Sequence, residues 1–128
     1  MERAVTGAAP VGAAPERAIA VPVVGGELVG TDWRSSADGP VVVGLHGITA
    51  NHRSFHGLAD RLPMRLVAVD LRGRGRSRDL PGPYDLDALA ADAASALDAL
   101  GVAHAIVVGH SMGGFVAARL AASRPDLV

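Results

Sequence analysis

Three short apolar runs place the strongest constraint on the fold of this chain. They read PVVVGLHG from Pro40, MRLVAVD ending at Asp70, and AIVVG from Ala105. Each is rich in β-branched residues and lacks the alternation of polar and apolar positions that a half-exposed strand shows. This pattern is typical of strands buried on both faces of a parallel sheet.

Segments with helical character separate the runs and follow the last of them. Ser54 to Leu62 precedes Pro63, which favours a helix end there. Asp85 to Leu100 has acids in its first turn, apolar residues at helical spacing and Gly101 as a stop. Met112 to Ser123 ends before Pro125. The alternation predicts an α/β fold with parallel strands and right-handed crossovers.

A β-hairpin is predicted ahead of the first apolar run. Ile19, Val21 and Val23 alternate with other residues, Gly25-Gly26 supplies a turn, and a second alternating stretch runs to Trp33. Residues 1–17 contain two prolines and no continuous apolar core of a signal peptide, so we expect a flexible tail there. The predicted domain therefore covers residues 18–128.

Composition narrows the classes of partner. Twelve basic residues, all Arg, stand against thirteen acids, giving a net charge of −1, which offers no support for nucleic acid or an anionic membrane as partner. Apolar residues make up 49% of the chain, yet no apolar run approaches the roughly 20 residues of a membrane span. With no cysteine and no signal peptide, we expect a cytoplasmic protein.

The segment GHSMGG, residues 109 to 114, follows the third run directly. A serine at a sharp strand-to-helix turn is exposed for attack, and Gly109 and Gly113 would let the chain before and after it approach closely. A strained backbone is expected at Ser111. The N–H of Met112, at the start of the next helix, would point at developing negative charge. Ser111 is therefore a candidate nucleophile.

Two further motifs lie upstream. In LHGIT, residues 45 to 49, the N–H of Ile48 could reach the same oxyanion, whereas a structural role is expected for His46 and Gly47. DLRGRGRS, residues 70 to 77, reads as a solvated surface loop. Its glycine spacing does not match a dinucleotide-binding fingerprint.

The ordered set LHGIT, AVDLRGRGRS and GHSMGG resembles the amino-terminal half of the α/β-hydrolase superfamily. The resemblance covers about residues 18 to 128. It implies a hairpin followed by parallel strands with crossover helices, Ser111 as nucleophile, and Ile48 and Met112 as backbone donors to an oxyanion. It also implies structural roles at the site for the remaining motif residues: His46, Gly47, Asp70, Arg72, Gly73, Gly109, His110 and Gly113.

The resemblance also suggests a chemistry. We call the strand-to-helix turn of residues 109–113 the elbow. Members of the superfamily with Asp at the position of Ser111 are dehalogenases or epoxide hydrolases, whereas Ser implies acyl chemistry on an ester, lactone, amide or related carbon–carbon bond of a small molecule. Cofactor-free haloperoxidases share the Ser elbow and remain an alternative enzyme class. We expect neither a cofactor nor a metal ion.

The base of such a catalytic triad is not found where the family places it. The expected chain order is Ser, acid, His, but the seventeen residues after Ser111 contain Asp126 and no histidine. His110 should project away from the serine, His46 belongs to its turn, and His104 lies at the opposite end of the sheet. Only His52 and His56 could overhang the site.

Two interpretations follow from the missing base. The chain is either a fragment of a serine hydrolase that ends before the acid- and histidine-bearing strands, or a non-catalytic binding module or half of a two-chain assembly. We favour the fragment, because a module without catalysis has no need for the elbow glycines. In either case the strand before Ser111 becomes an apolar sheet edge through which the chain could self-associate.

Overall fold

The computed structural model describes residues 12–128, which form five strands and three α-helices. The strands are β1 (Glu16–Val23), β2 (Gly26–Trp33), β3 (Val41–Leu45), β4 (Arg65–Val69) and β5 (Ile106–Gly109). The helices are α1 (His56–Arg61), α2 (Leu86–Ala99) and α3 (Met112–Ser123), with short 3₁₀ turns at His52–Phe55 and Gly75–Ser77. The helix predicted from Ser54 therefore begins as a 3₁₀ turn.

The strands form one mixed sheet in the order β1-β2-β4-β3-β5. β1 pairs antiparallel with β2, and β2 pairs antiparallel with β4, while β3 lies parallel between β4 and β5. Helix α1 connects β3 to β4, and α2 connects β4 to β5. The α/β fold with a hairpin followed by parallel strands is confirmed.

The first strand begins earlier than the sequence indicated. β1 starts at Glu16, two residues before the predicted domain start, and Ala14 just ahead of it is buried. The N–H of Arg34 donates to the Pro15 carbonyl over 2.9 Å, which extends the hairpin backwards. Most of the tail predicted over residues 1–17 lies outside the described residues, and Glu16 and Arg17 belong to the sheet.

Each face of the sheet buries its own core. On one face the hairpin and the central strands pack against α2 and α3, with Leu45, Leu89, Val116 and Leu120 fully buried. On the other face Trp33 and its neighbours pack beneath α1. The two layers hold the central strands rigidly, so the carboxyl ends of β3, β4 and β5 are fixed relative to one another.

β5 is the apolar edge strand that was expected before Ser111, although its composition is typical of a strand buried on both faces. Ile106 is 53% exposed and Val108 is 38% exposed, although Val107 between them packs against the core. In the described part of the chain β5 pairs only with β3, and no helix covers the face that carries Ile106 and Val108. The apolar composition of β5 is therefore that of a buried strand, while its position here is that of an edge.

Candidate active site at the carboxyl edge of the sheet

Ser111 occupies the turn between β5 and α3 and has an unusual backbone. Its φ is 54° and its ψ is −119°, and it is one of two non-glycine residues with positive φ in the described part of the chain. A side chain in this region costs of the order of 1–3 kcal/mol. The side chain of Ser111 is exposed. The predicted strain at this residue is therefore present, and it presents the hydroxyl to solvent.

Two glycines make the turn sterically possible. A Cβ placed on Gly109 would lie 2.6 Å from the Cα of Gly114, which shows how closely the strand end and the helix start approach. A Cβ on Gly113 would overlap the Leu45 carbonyl and lie 2.8 Å from the His46 oxygen. Gly113 therefore also lets α3 pack directly against the end of β3, a contact that the sequence did not indicate.

The turn after β3 adjoins Ser111. A Cβ on Gly47 would lie 3.5 Å from the Ser111 Cβ and 3.2 Å from His110 Nδ1. The N–H of His110 donates to the Leu45 carbonyl over 3.0 Å, which continues the β3–β5 ladder into the turn. The structure thus brings together the turn that contains His46 and Gly47, called the HG turn below, and the elbow, which are more than sixty residues apart in sequence.

The N–H groups of Met112 and Ile48 donate to no backbone or side-chain group among residues 12–128. The N–H groups of Gly113 and Gly114 donate back to the carbonyls of His110 and Ser111, but Met112, the first residue of α3, has no preceding turn to receive its proton. Ile48 donates to none of the described residues, and its side chain is 58% exposed. The joint role of these two N–H groups as donors to an anionic oxygen near Ser111 stays a prediction.

His46 is a buried residue with a hydrogen-bond partner at each ring nitrogen. It is fully buried, Nδ1 lies 2.7 Å from the Gly47 carbonyl, and Nε2 accepts from the Leu71 N–H over 2.9 Å. These partners require the neutral imidazole with its proton on Nδ1. Burial lowers the pKa of His46, which maintains that form. The side chain ties the turn after β3 to the end of β4.

The segment after β4 is not the solvated surface loop that its composition indicated. Asp70, Arg72 and Ser77 are all buried. The guanidinium of Arg72 binds both carboxylate oxygens of Asp92, at 2.7 and 2.9 Å, and donates to the carbonyls of Val24 and Pro81. The Asp92 carboxylate raises the pKa of Arg72. A bidentate ion pair thus anchors the segment to α2 and to the hairpin.

Asp70 organises the other half of this segment. Its carboxylate accepts from the N–H and Nδ1 of His52, at 2.7 and 2.6 Å, and from the Arg76 N–H at 2.9 Å. Burial alone would raise the pKa of Asp70, but these hydrogen bonds outweigh it and hold the pKa below its usual value. Arg74 extends the same segment toward the HG turn, with Nε 3.4 Å from the Ile48 carbonyl.

The structure gives His52 and His56 other partners than Ser111. His52 binds Asp70, and the rings of both histidines lie 6.3 Å from that of Trp33 on β2. β2 is three strands from β5, about 14 Å across the sheet. His104 Nδ1 lies 3.0 Å from the Asp126 carbonyl, ahead of β5. The orientation of the His110 ring away from the hydroxyl stays a prediction.

Sequence reasoning missed several residues that shape this edge. Asp92 was not singled out, yet an acid spaced three residues from Leu89 on the buried face is itself a signal of a buried partner. No comparable signal pointed to Arg74 or to the His52–Asp70 pair. In residues 12–128 no three side chains of His, Cys, Asp or Glu lie together as a metal site would require, and no helix is long and apolar enough to cross a membrane.

Comparison with known proteins agrees with this geometry. Residues 40–128 match a family model described as alpha/beta hydrolase fold. Lipase LipV of Mycobacterium tuberculosis is 44% identical over 97 residues, which are 74% of this chain and 37% of that protein. A 2-(acetamidomethylene)succinate hydrolase of Mesorhizobium japonicum is 40% identical over 97 residues, covering 74% of this chain and 35% of that protein.

A solved structure is also similar. The crystal structure of Cfl2 from Burkholderia cenocepacia superposes with a TM-score of 0.75 at 32% identity, over 88% of this chain and 39% of that one. The chain belongs to the α/β-hydrolase family. It spans little more than a third of the length of the curated relatives it matches, and its sheet corresponds to the amino-terminal part of the family fold.

Proposed function

We propose that this chain provides the nucleophile and the oxyanion hole of a serine hydrolase. Ser111 attacks a carbonyl carbon of an ester, lactone, amide or related acyl or carbon–carbon substrate, and the N–H groups of Ile48 and Met112 bind the oxygen as it becomes negative. The observation that carries the proposal is the positive φ of Ser111 at the start of α3, beside the turn that contains Gly47.

The presence of a serine at position 111 supports acyl chemistry in particular. A serine oxygen forms an acyl-enzyme that water can hydrolyse, and both a lipase and a 2-(acetamidomethylene)succinate hydrolase occur among the relatives. A lowered pKa keeps His46 neutral, so its ring does not bring a fixed charge to the site. Since His46 carries no charge, the oxyanion is stabilised by backbone dipoles and by the amino end of α3.

The general base is proposed to come from outside these 128 residues. His46, His52 and His104 are occupied by hydrogen bonds to other groups, and His56 lies beside Trp33. The ring of His110 is expected to project away from the Ser111 hydroxyl. A serine without a base retains only the rate that binding and the oxyanion hole supply. We therefore expect almost no ester turnover by this chain alone, and a marked response to a base added in solution.

The experiment measures the reaction of the purified chain with a fluorophosphonate, read by peptide mass spectrometry with and without imidazole. We expect one adduct, on Ser111, whose rate rises at least about tenfold with imidazole. Ser111→Ala should abolish the adduct, and Ser123→Ala, at the other end of α3, should leave it unchanged. Equal labelling of several serines, or an adduct that survives Ser111→Ala, would overturn the proposal, as would efficient p-nitrophenyl ester turnover without imidazole.

A further inference from the structure

A second concave site lies on the hairpin side of the sheet, away from Ser111. This cleft, of about 510 Å³, is lined in part by the apolar residues Ala18 and Val29, by the polar residues Thr31, Asn51 and His52, and by the arginines Arg53, Arg76 and Arg78. Neither Ser111 nor any residue of the HG turn contributes to it. Its volume is within the range of small-molecule sites. We call it the hairpin cleft.

The charges in the hairpin cleft do not cancel. Two carboxylates are also part of the lining, Glu16 and Asp70. Glu16 pairs with Arg53 at 3.1 Å, and Asp70 is buried and accepts three N–H groups. Among the described acids, none forms an ion pair with Arg76 or Arg78. Three guanidinium groups and two carboxylates therefore line the cleft, which leaves a surplus of one positive charge among these five groups; His52, also in the lining, is hydrogen-bonded to Asp70.

The turn that carries the two arginines is fixed before any ligand arrives. The N–H of Arg76 donates to Asp70 Oδ2 over 2.9 Å, and the Oγ of Ser77, which is buried, accepts from the Val29 N–H over 3.1 Å. These bonds attach the turn to the end of β4 and to β2. Binding therefore requires no ordering of the backbone, and only the Arg76 and Arg78 side chains lose conformational freedom.

We propose that the hairpin cleft binds a small organic monocarboxylate. Its apolar body lies over Ala18 and Val29, and its carboxylate binds Arg76 and Arg78, whose guanidinium geometry suits bidentate pairing. The single surplus charge favours a monoanion over a phosphate dianion. The cleft is separate from the elbow, so the proposal does not depend on catalysis by Ser111.

The test uses benzoate as the probe, in equilibrium dialysis of the radiolabelled compound against the 128-residue chain. We expect saturable binding of one equivalent. Benzyl alcohol, the neutral analogue, and inorganic phosphate should each bind at least about tenfold more weakly, because one lacks the charge and the other the apolar body. Ser111→Ala should leave benzoate binding unchanged.

Variants locate the site. The double variant Arg76→Gln/Arg78→Gln should weaken benzoate binding at least about tenfold. Arg78→Gln alone should weaken it about threefold. Arg61→Gln removes another exposed arginine, on α1, and should have no effect. The fluorescence of Trp33, the single Trp of the chain, checks that each variant folds. Absence of saturation, equal binding of benzyl alcohol, tighter binding of phosphate, or equal weakening by Arg61→Gln would each overturn the proposal.

Discussion

Replacing Gly113 with Ala tests the packing that positions Ser111. The added carbon would overlap the Leu45 carbonyl oxygen and lie 2.8 Å from the His46 oxygen, whereas side-chain carbons essentially never approach other atoms within 3.0 Å. The start of α3 would therefore have to move by roughly 1 Å. Both obstructing atoms belong to the backbone, so no side-chain rotation can relieve the overlap.

The neighbouring glycine provides a matched control. A Cβ on Gly114 meets no atom closer than 3.8 Å, and both residues lie in the first turn of α3. The two alanines gain a similar helix propensity, up to about 1 kcal/mol. The difference between the variants therefore isolates the overlap. Overpacking costs about 1–3 kcal/mol, and with rigid backbone atoms on one side we expect the upper end, about 3 kcal/mol.

Urea unfolding followed by Trp33 fluorescence measures this difference, since Trp33 is fully buried. With an m-value of about 1.5 kcal/mol/M, the midpoint for Gly113→Ala should be about 2 M lower than that for Gly114→Ala. Coincident midpoints would refute the close contact between α3 and the end of β3. They would also remove the physical basis for the position of the Met112 N–H.

Two further substitutions test the backbone and the buried imidazole at the same edge. Because Ser111 has a φ of 54°, Ser111→Gly should be more stable to urea than Ser111→Ala by about 1 kcal/mol; equal or reversed stabilities would contradict the strain. Burial lowers the pKa of His46, so the unfolded chain binds this proton more readily, and the free energy of unfolding should fall as the pH drops through about 6.5. His46→Gln should reduce the fall of the urea midpoint between pH 7 and pH 5. An unchanged dependence of the midpoint on pH would count against the buried neutral ring.

The sequence was sufficient for the order of elements because each local signal agreed with the fold. Buried parallel strands, the double-glycine hairpin turn and the helix with acids in its first turn all lie where their patterns placed them. The strain at Ser111 was predictable as well, since a strand that turns directly into a helix leaves its connecting residue few backbone conformations.

What the sequence could not supply were contacts between distant segments. The composition of DLRGRGRS predicted solvent exposure, but Arg72 is buried because Asp92, twenty residues later, neutralises it. Likewise, β5 has the composition of a buried strand, and its exposure depends on which strands adjoin it. In both segments, burial is a property of the partner as well as of the residue.

The strained turn at Ser111 can be maintained by the described part of the chain alone. Strain of about 1–3 kcal/mol must be outweighed by contacts that exist only when α3 is in place. Val116 and Leu120 are fully buried, and each such side chain contributes roughly 1.5–3 kcal/mol. The hydrogen bond from the His110 N–H to Leu45 adds about 1 kcal/mol. The described residues are therefore sufficient to hold the proposed nucleophile in place, so a base added in solution is expected to reach a serine already in position.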